Sequence, residues 1–320
     1  MTTFVGVDIA SQKFDVAVLY EKSKYKHKTF PDSTQGFCEF VDWLQPYNNV
    51  HVCMEATGAY STPLATHLHE SDITVSVENP ARIHAFAQSE LTRNKTDRND
   101  AKMIARYCCL YQPPLWKPAP PDIRQLLALM TRLDALKEMR RMELNRILVA
   151  DPIITNSLQK NIDSLSVQIE EIQQTVKEHV NNNKALKRNK ELLKSIPGVG
   201  DILSYTFLAY TGDVSRFSNN KKLVAWVGLN PMLQESGLWK GRSKISKKGN
   251  IELRKALYMP AVAALTHNSV FIAFKKRLQQ NGKSGKSIVC AGMKKLLQIM
   301  YGVLKSGVPF DEKYSLPNKF

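Results

Sequence analysis

Acidic residues are scarce where the chain is most basic. Residues 194–320 hold 6 Asp+Glu against 21 Lys+Arg, an excess of +15 in a chain whose formal charge is +16. Residues 1–110 hold 11 Lys+Arg and 13 Asp+Glu, and residues 111–193 hold 13 and 10. An imbalance confined to one segment implies strong self-repulsion unless a polyanion neutralises it, so the C-terminal third is the expected nucleic-acid face. A basic surface serving solubility alone is the competing explanation. No run approaches the roughly 20 uninterrupted apolar residues that a membrane span needs. The opening MTTFVGVDIA has no basic stretch ahead of its apolar run, so it does not read as a secretory signal. Cysteine is sparse too. Cys38, Cys53, Cys108, Cys109 and Cys290 are odd in number and lack CxxC spacing, which argues against zinc and for reduced thiols in the cytosol. No Walker-type phosphate loop is present.

What is there is alternation. FVGVDIA and FDVAVLY are strand-like and separated by SQK, a hairpin-sized connection. TQGFCEFVDWLQPY carries Phe37, Phe40, Val41 and Leu44 at helical spacing and stops at Pro46. NVHVCME reads as a strand, TPLATHLHES as a short helix, DITVSVENP as a strand and ARIHAFAQSE as a helix. A hairpin followed by βα units predicts a layered α/β sheet. YQPPLWKPAPP, with five prolines in eleven positions, predicts a stiff extended linker. Two long helical patterns follow, from Asp122 to about Val149 and from about Thr155 to Val180, broken at Asp151-Pro152. Their apolar spacing suits either an antiparallel pair or an intermolecular coiled coil. Beyond the polar NNNK, the segment IPGVG sits between two helical runs, as in a helix-hairpin-helix. There the backbone N–H groups near Gly198 and Gly200 can meet a phosphate. The domain limits that follow are 1–115, 116–190 and 191–320.

Four acids stand at telling places. Asp8 lies in the first strand, its neighbours Val7 and Ile9 facing the opposite way. Glu55 ends NVHVCME, and Asp97 and Asp100 lie three apart at the start of a helical run, on one face of it. Singly, each is equally explained as a turn or cap residue. Together they suggest a site for a hard divalent cation, Mg²⁺ with Mn²⁺ as a substitute, and phosphoryl-transfer chemistry. Downstream, Ser236-Gly237 precedes a basic run of Lys240, Arg242, Lys244, Lys247 and Lys248. A loop serine is a poor nucleophile without activation, whereas nearby cations stabilise an attacked phosphate. Ser243 and Ser246 are neighbours of the same chemistry, with Ser246 expected to cap the helix that begins near LRKAL.

GVDIA with Asp8, MEATGAY with Glu55 and NKTDRNDAKMIA with Asp97 and Asp100 resemble the DEDD domain of the IS-one-ten family of insertion-sequence transposases. Relatives of that family include Piv-type site-specific DNA invertases. Residues 223–254 are similar to the C-terminal domain of the same family, with Gly228, Leu229, Pro231, Ser236, Gly237, Gly241, Ile245, Ser246, Lys247, Gly249, Asn250, Leu253 and Arg254 in place. The resemblance implies a RuvC-like, ribonuclease-H-type N-terminal domain, a long helical or coiled-coil middle and a mainly α-helical C-terminal domain. It implies catalytic roles for Asp8, Glu55, Asp97 and Asp100 as metal ligands, and for Ser236 as the nucleophile joined covalently to DNA. Nucleic-acid contacts are expected from Gly198, Gly200, Lys240, Arg242, Lys244, Lys247, Lys248 and Arg254. Double-stranded DNA, a structured guide (bridge) RNA, and a dimer or tetramer of this chain are the expected partners, in a bacterial cytoplasm at the nucleoid. A metal-dependent nuclease or resolvase using water is the rival chemistry. It leaves the serine segment without a purpose.

Overall fold

The computed structural model describes residues 2–21, 24–58, 60–90, 96–232, 235–236, 239–240 and 244–311. The chain divides into two compact units, Met1–Pro118 and Ala119–Phe320.

The first unit is built on five strands. These are β1 (Thr3–Ile9), β2 (Lys13–Glu21), β3 (Lys24–Pro31), β4 (Val50–Glu55) and β5 (Thr74–Glu78), in the order β3-β2-β1-β4-β5. β1, β2 and β3 pair antiparallel, while β1–β4 and β4–β5 are parallel. Four helices accompany them: α1 (Thr34–Leu44), α2 (Ser61–Glu70), α3 (Pro80–Ser89) and α4 (Asp97–Tyr111). Strand alternation sorts the side chains by face. Val5, Val7, Phe14, Val16, Val18, Val52, Met54 and Val75 form a dry core with Phe37, Phe40 and Leu44 of α1 and Leu64 and Leu68 of α2. The opposite face is mixed. It buries Cys53 with Ile104, Tyr107 and Cys108 of α4, and it also carries Asp8, Asp15, Ser76 and Glu78.

α4 packs unusually close to that face, for one reason. A Cβ on Gly6 would stand 2.1 Å from the Ala101 carbonyl oxygen and 2.2 Å from the Ala105 nitrogen. Only a residue without a side chain lets the α4 backbone rest on β1. Because Gly6 and Asp8 are two apart, they share this face, and the first turn of α4 is carried towards Asp8.

The proline-rich segment is less free than its composition suggests. The Trp116 N–H donates to the Val75 carbonyl at 2.7 Å, and the Ser76 hydroxyl to the Pro113 carbonyl at 2.9 Å. Buried His51 holds that hydroxyl from the other side, Nε2 to Oγ 2.8 Å. Residues 113–116 are thus seated on β5 as part of the first unit.

The second unit opens with α5 (Pro121–Ile147) and α6 (Pro152–Asn182), with Asp151 capping α6 ahead of Pro152 at its first position. They form an antiparallel pair. His179 Nε2 meets the Asp122 carbonyl at 2.9 Å and Asn183 Nδ2 donates to the Asp122 carboxylate at 2.8 Å. Their apolar stripes (Leu126, Met130, Leu133, Leu165, Ile169, Val176) are buried in the same core as the rest of the unit. α7 (Lys184–Lys194), α8 (Asp201–Thr211), a short 3₁₀ turn (Val214–Arg216) and α9 (Asn220–Val227) follow. Four two-residue strands come next: β6 (Pro231–Met232), β7 (Glu235–Ser236), β8 (Trp239–Lys240) and β9 (Lys244–Ile245). α10 (Ile251–Ala256), α11 (Tyr258–His267), α12 (Ser269–Gln280) and α13 (Gly285–Ser306) complete it. α13 is long and apolar enough to cross a membrane by length and composition, yet it is a core helix here, with Leu296, Leu297 and Met300 fully buried.

Candidate active site

Asp8, Glu55, Asp97 and Asp100 come together at one end of the sheet of the first unit. Asp8 records the crowding. Burial, and then the negative charges of Asp100, Glu55, Asp97 and Asp15, push its carboxyl up to about 6. Thr96, not either aspartate, caps α4, its hydroxyl accepting from Asn99 N. Asp97 and Asp100 occupy the first turn, where the helix dipole favours negative charge.

Asp15 is a fifth acid that sequence reasoning missed. It sits directly opposite Asp8 in the β1–β2 register and is only 5% exposed. The Thr29 hydroxyl donates to it at 2.6 Å, the Lys13 ammonium at 3.1 Å, and His27 Nε2 lies 3.4 Å away. Burial opposes its ionisation, but Thr29, Lys13 and His27 together hold its carboxyl below the usual range. Lys13 also reaches Asp97, at 3.0 Å. A second missed acid, Glu78, is taken up by the Arg82 guanidinium and the Tyr107 hydroxyl, both at 3.0 Å. Each alternates with core-facing neighbours on its strand, so from sequence alone it reads as a solvent-facing position.

The donor set is all carboxylate, which suits a hard divalent cation. Unrelieved repulsion at Asp8 is what such an ion would remove. Even so, among the described residues no three His, Cys, Asp or Glu side chains stand close enough to hold an ion as placed. The acids share a neighbourhood without forming a closed shell.

In the second unit, the segment 231–245 between α9 and α10 (the arm) carries two short strand pairs among its described residues. β6 pairs with β9, Pro231 opposite Ile245 and Met232 opposite Lys244. β7 pairs with β8, Ser236 opposite Trp239 and Glu235 opposite Lys240. Ser236 is the last residue of β7. Gly237, Gly241, Arg242 and Ser243 lie outside the described residues.

The base of the arm is closed by the motif that the sequence singled out. Ser246 N donates to the Asn230 carbonyl at 2.9 Å and its hydroxyl to Asn230 Oδ1 at 2.7 Å. Ser246 is thus a clamp rather than a helix cap. The cap of α10 is Asn250, whose Oδ1 accepts from Leu253 N at 2.7 Å. A Cβ at Gly249 would lie 2.1 Å from the Trp226 carbonyl oxygen, and its φ of 143° suits glycine alone. Lys247, a non-glycine residue at φ 54°, carries the strain of this crossing. Arg254 donates to the Val227 carbonyl at 2.7 Å, so its guanidinium braces the α9 end. Lys244, Lys247 and Lys248 are exposed. Gly198 and Gly200 form the α7–α8 turn, where Ile196 and Val199 are buried and Lys194 pairs with Asp201 at 3.0 Å.

Residues 5–150 match the DEDD transposase family model, and residues 190–276 match the model described as Transposase IS116/IS110/IS902 family. The chain is 34% identical to the pilin gene-inverting protein of Moraxella lacunata over 317 residues, 97% of this chain and 98% of that protein. The pilin gene-inverting protein of Moraxella bovis is similar to the same degree. The transposase for insertion sequence element IS1111A of Coxiella burnetii is 25% identical over 292 residues, 82% of this chain and 78% of the relative.

Proposed function

The chain belongs to the IS116/IS110/IS902 transposase family and is a DNA recombinase, and from that premise we propose that it exchanges DNA strands through a covalent bond to Ser236. In this reading Asp8, Glu55, Asp97 and Asp100 hold Mg²⁺, or Mn²⁺ in its place. When bound, the ion supplies charge neutralisation at the reacting phosphate. Ser236 attacks that phosphate. The Ser Oγ–P bond forms, the P–O bond to one DNA strand end breaks, and the serine proton leaves as the departing oxygen takes up a proton. A DNA hydroxyl from the partner strand then attacks the phosphoserine, reseals the backbone and restores the serine. Storing the bond in the protein removes any need for a nucleotide cofactor. Lys240, Arg242, Lys244, Lys247 and Lys248 steady the phosphates, and the α7–α8 turn with Gly198 and Gly200 grips the backbone.

The observation that carries this reading is the gathering of Glu55, Asp97 and Asp100 near half-buried Asp8, whose carboxyl burial and their negative charge push up to about 6, a repulsion that a bound cation would relieve. The reading is supported by the exposed Lys244, Lys247 and Lys248, which follow Ser236 closely in the sequence. The tip of the α5–α6 hairpin exposes Leu148, Val149 and Ile153 (80%, 86% and 87%), which supports an oligomer of this chain through these helices. The basic second unit suits a structured guide RNA as well as DNA.

A second reading, site-specific inversion, is favoured by the near full-length similarity to two pilin gene-inverting proteins. Its chemistry is the same. Incubation with the flanking DNA of its own gene and Mg²⁺, followed by denaturation, should yield a protein–DNA adduct. Ser236→Ala should abolish the adduct, and Asp97→Ala should abolish it while leaving DNA binding nearly intact. An adduct that survives Ser236→Ala ends the serine mechanism. Hydrolysed ends without any adduct favour the water-using nuclease.

A further inference from the structure

α4 is acidic only in its first turn. From Ala101 to Tyr111 it carries no Asp or Glu, and Arg98, Lys102 and Arg106 recur every fourth residue. Positions four apart share a helix face, so these three cations form one stripe that starts beside Asp97 and Asp100. The stripe lies along the edge strand β3. The Lys102 ammonium sits 5.8 Å from the Tyr25 ring centre. Two residues along the strand, burial holds His27 below its usual range; Asp15 opposes this, and the positive charge of Arg98, Lys102 and Lys13 adds to it. Arg98 is exposed and Lys102 half-buried, and neither meets a carboxylate among the described residues. Arg106, half exposed, shares itself with Glu90 at 3.0 Å. Arg98 and Lys102 thus keep their charge open to an anion from outside.

The spacing says which anion. Four residues of helix advance about 6 Å, close to the separation of successive phosphates on an extended nucleic-acid strand. We propose that the Arg98–Lys102–Arg106 stripe of α4 binds the backbone of the reacting DNA strand, taking the phosphates that follow the one held at the acid cluster. The inference rests on the acid cluster being where that phosphate reacts. It adds to it a binding track in the first unit, whose charge is otherwise slightly negative over residues 1–110. Each cation would act as a phosphate contact that positions without reading sequence. The tyrosine beside Lys102 offers a flat face to a sugar or base.

The test uses the full chain with Mg²⁺ and a short single-stranded DNA of arbitrary sequence. Affinity is read by fluorescence anisotropy across a KCl series. Arg98→Ala/Lys102→Ala should weaken binding and flatten the log–log salt slope by about 1.4, roughly 0.7 for each phosphate that the variant no longer neutralises on a single strand. Lys160→Ala/Lys177→Ala, on α6, removes the same charge elsewhere and should leave the slope as in the wild type. An unchanged slope in the α4 double variant overturns the proposal, and so does an equal flattening in the α6 control. A weakening seen only with an RNA of the same sequence overturns the assignment to DNA. The adduct assay is independent: a wild type that forms no adduct removes the serine reading, while the slope still decides the stripe.

Discussion

The Lys13 ammonium stands 3.0 Å from the Asp97 carboxylate, tying β2 to the first turn of α4 across 84 positions of sequence. Asp15 anchors the same ammonium at 3.1 Å. Lys13 is thus a cation at the acid cluster, paired with one of the four carboxylates assigned to the metal.

A divalent ion has to compete with that ammonium. Lys13→Met should therefore bind Mg²⁺ or Mn²⁺ more tightly, by about 2- to 5-fold, the modest range open to an exposed ion pair. Isothermal calorimetry on the full chain reads this directly. Weaker metal binding in the variant would mean that Lys13 helps to shape the site rather than guarding it.

Asp8 makes a second prediction, about stability. Its carboxyl titrates near 3.8 in an unfolded chain and at about 6 in the fold. The folded state holds the proton more tightly. That advantage is complete below the unfolded value and is lost as pH rises through the folded one. At neutral pH the ionised group costs the fold on the order of 1–2 kcal/mol once solvent screening of this partly exposed carboxyl is allowed for. Asp8→Asn removes the charge and keeps the shape. Without metal it should melt several degrees above the wild type near neutral pH, the gap closing at about pH 4. Added Mg²⁺ should raise the melting temperature of the wild type much more than that of the variant. A variant that melts lower at neutral pH would show Asp8 to be a stabilising partner, contrary to its position among four other acids.

Gly6 makes a third. An alanine there would drive a methyl group into the α4 backbone, with contacts of 2.1 and 2.2 Å that no rotamer relieves. Gly6→Ala should cost about 3 kcal/mol or more and free α4 from β1. Loss of the first unit's cooperative unfolding, seen in urea titration by circular dichroism, is the expected result. A variant with wild-type stability would mean that α4 docks on β1 less closely than the geometry states.

The sheet face that buries only hydrocarbon was readable, because β1, β2, β4, β5, α1 and α2 all follow clean apolar periods. β3 was not. Its KYKHKTFP alternates charged with polar or aromatic residues, and as an edge strand it buries only Phe30 fully. The four acids were legible because each stands at the end of a recognisable element. Asp15 was hidden inside FDVAVLY, where one polar residue in a strand looks like solvent exposure until β3 and α4 cover it. The arm carrying Ser236 escaped detection because two-residue strands leave no period to find. Asn250 took the capping role expected of Ser246, for a local reason. Gly249 brings the backbone against Trp226, so the helix starts at Asn250, and Ser246 is left to clamp the arm.

That clamp supports the last prediction. Asn230 and Ser246 are joined twice, backbone to backbone at 2.9 Å and side chain to side chain at 2.7 Å, at the root of the arm that carries Ser236. Neither needs to touch DNA to matter, since misplacing a nucleophile by an ångström costs rate without costing affinity. Asn230→Ala should lower stability by about 1 kcal/mol, the worth of one side-chain hydrogen bond. It should slow adduct formation roughly tenfold or more while DNA affinity and its salt slope stay near wild type. Asn230→Asp, which keeps an acceptor for the Ser246 hydroxyl, should recover most of the rate. If Asn230→Ala reacts as fast as the wild type, the arm is positioned by contacts other than its root. If alanine and aspartate are equally slow, the hydrogen bond is not what holds it.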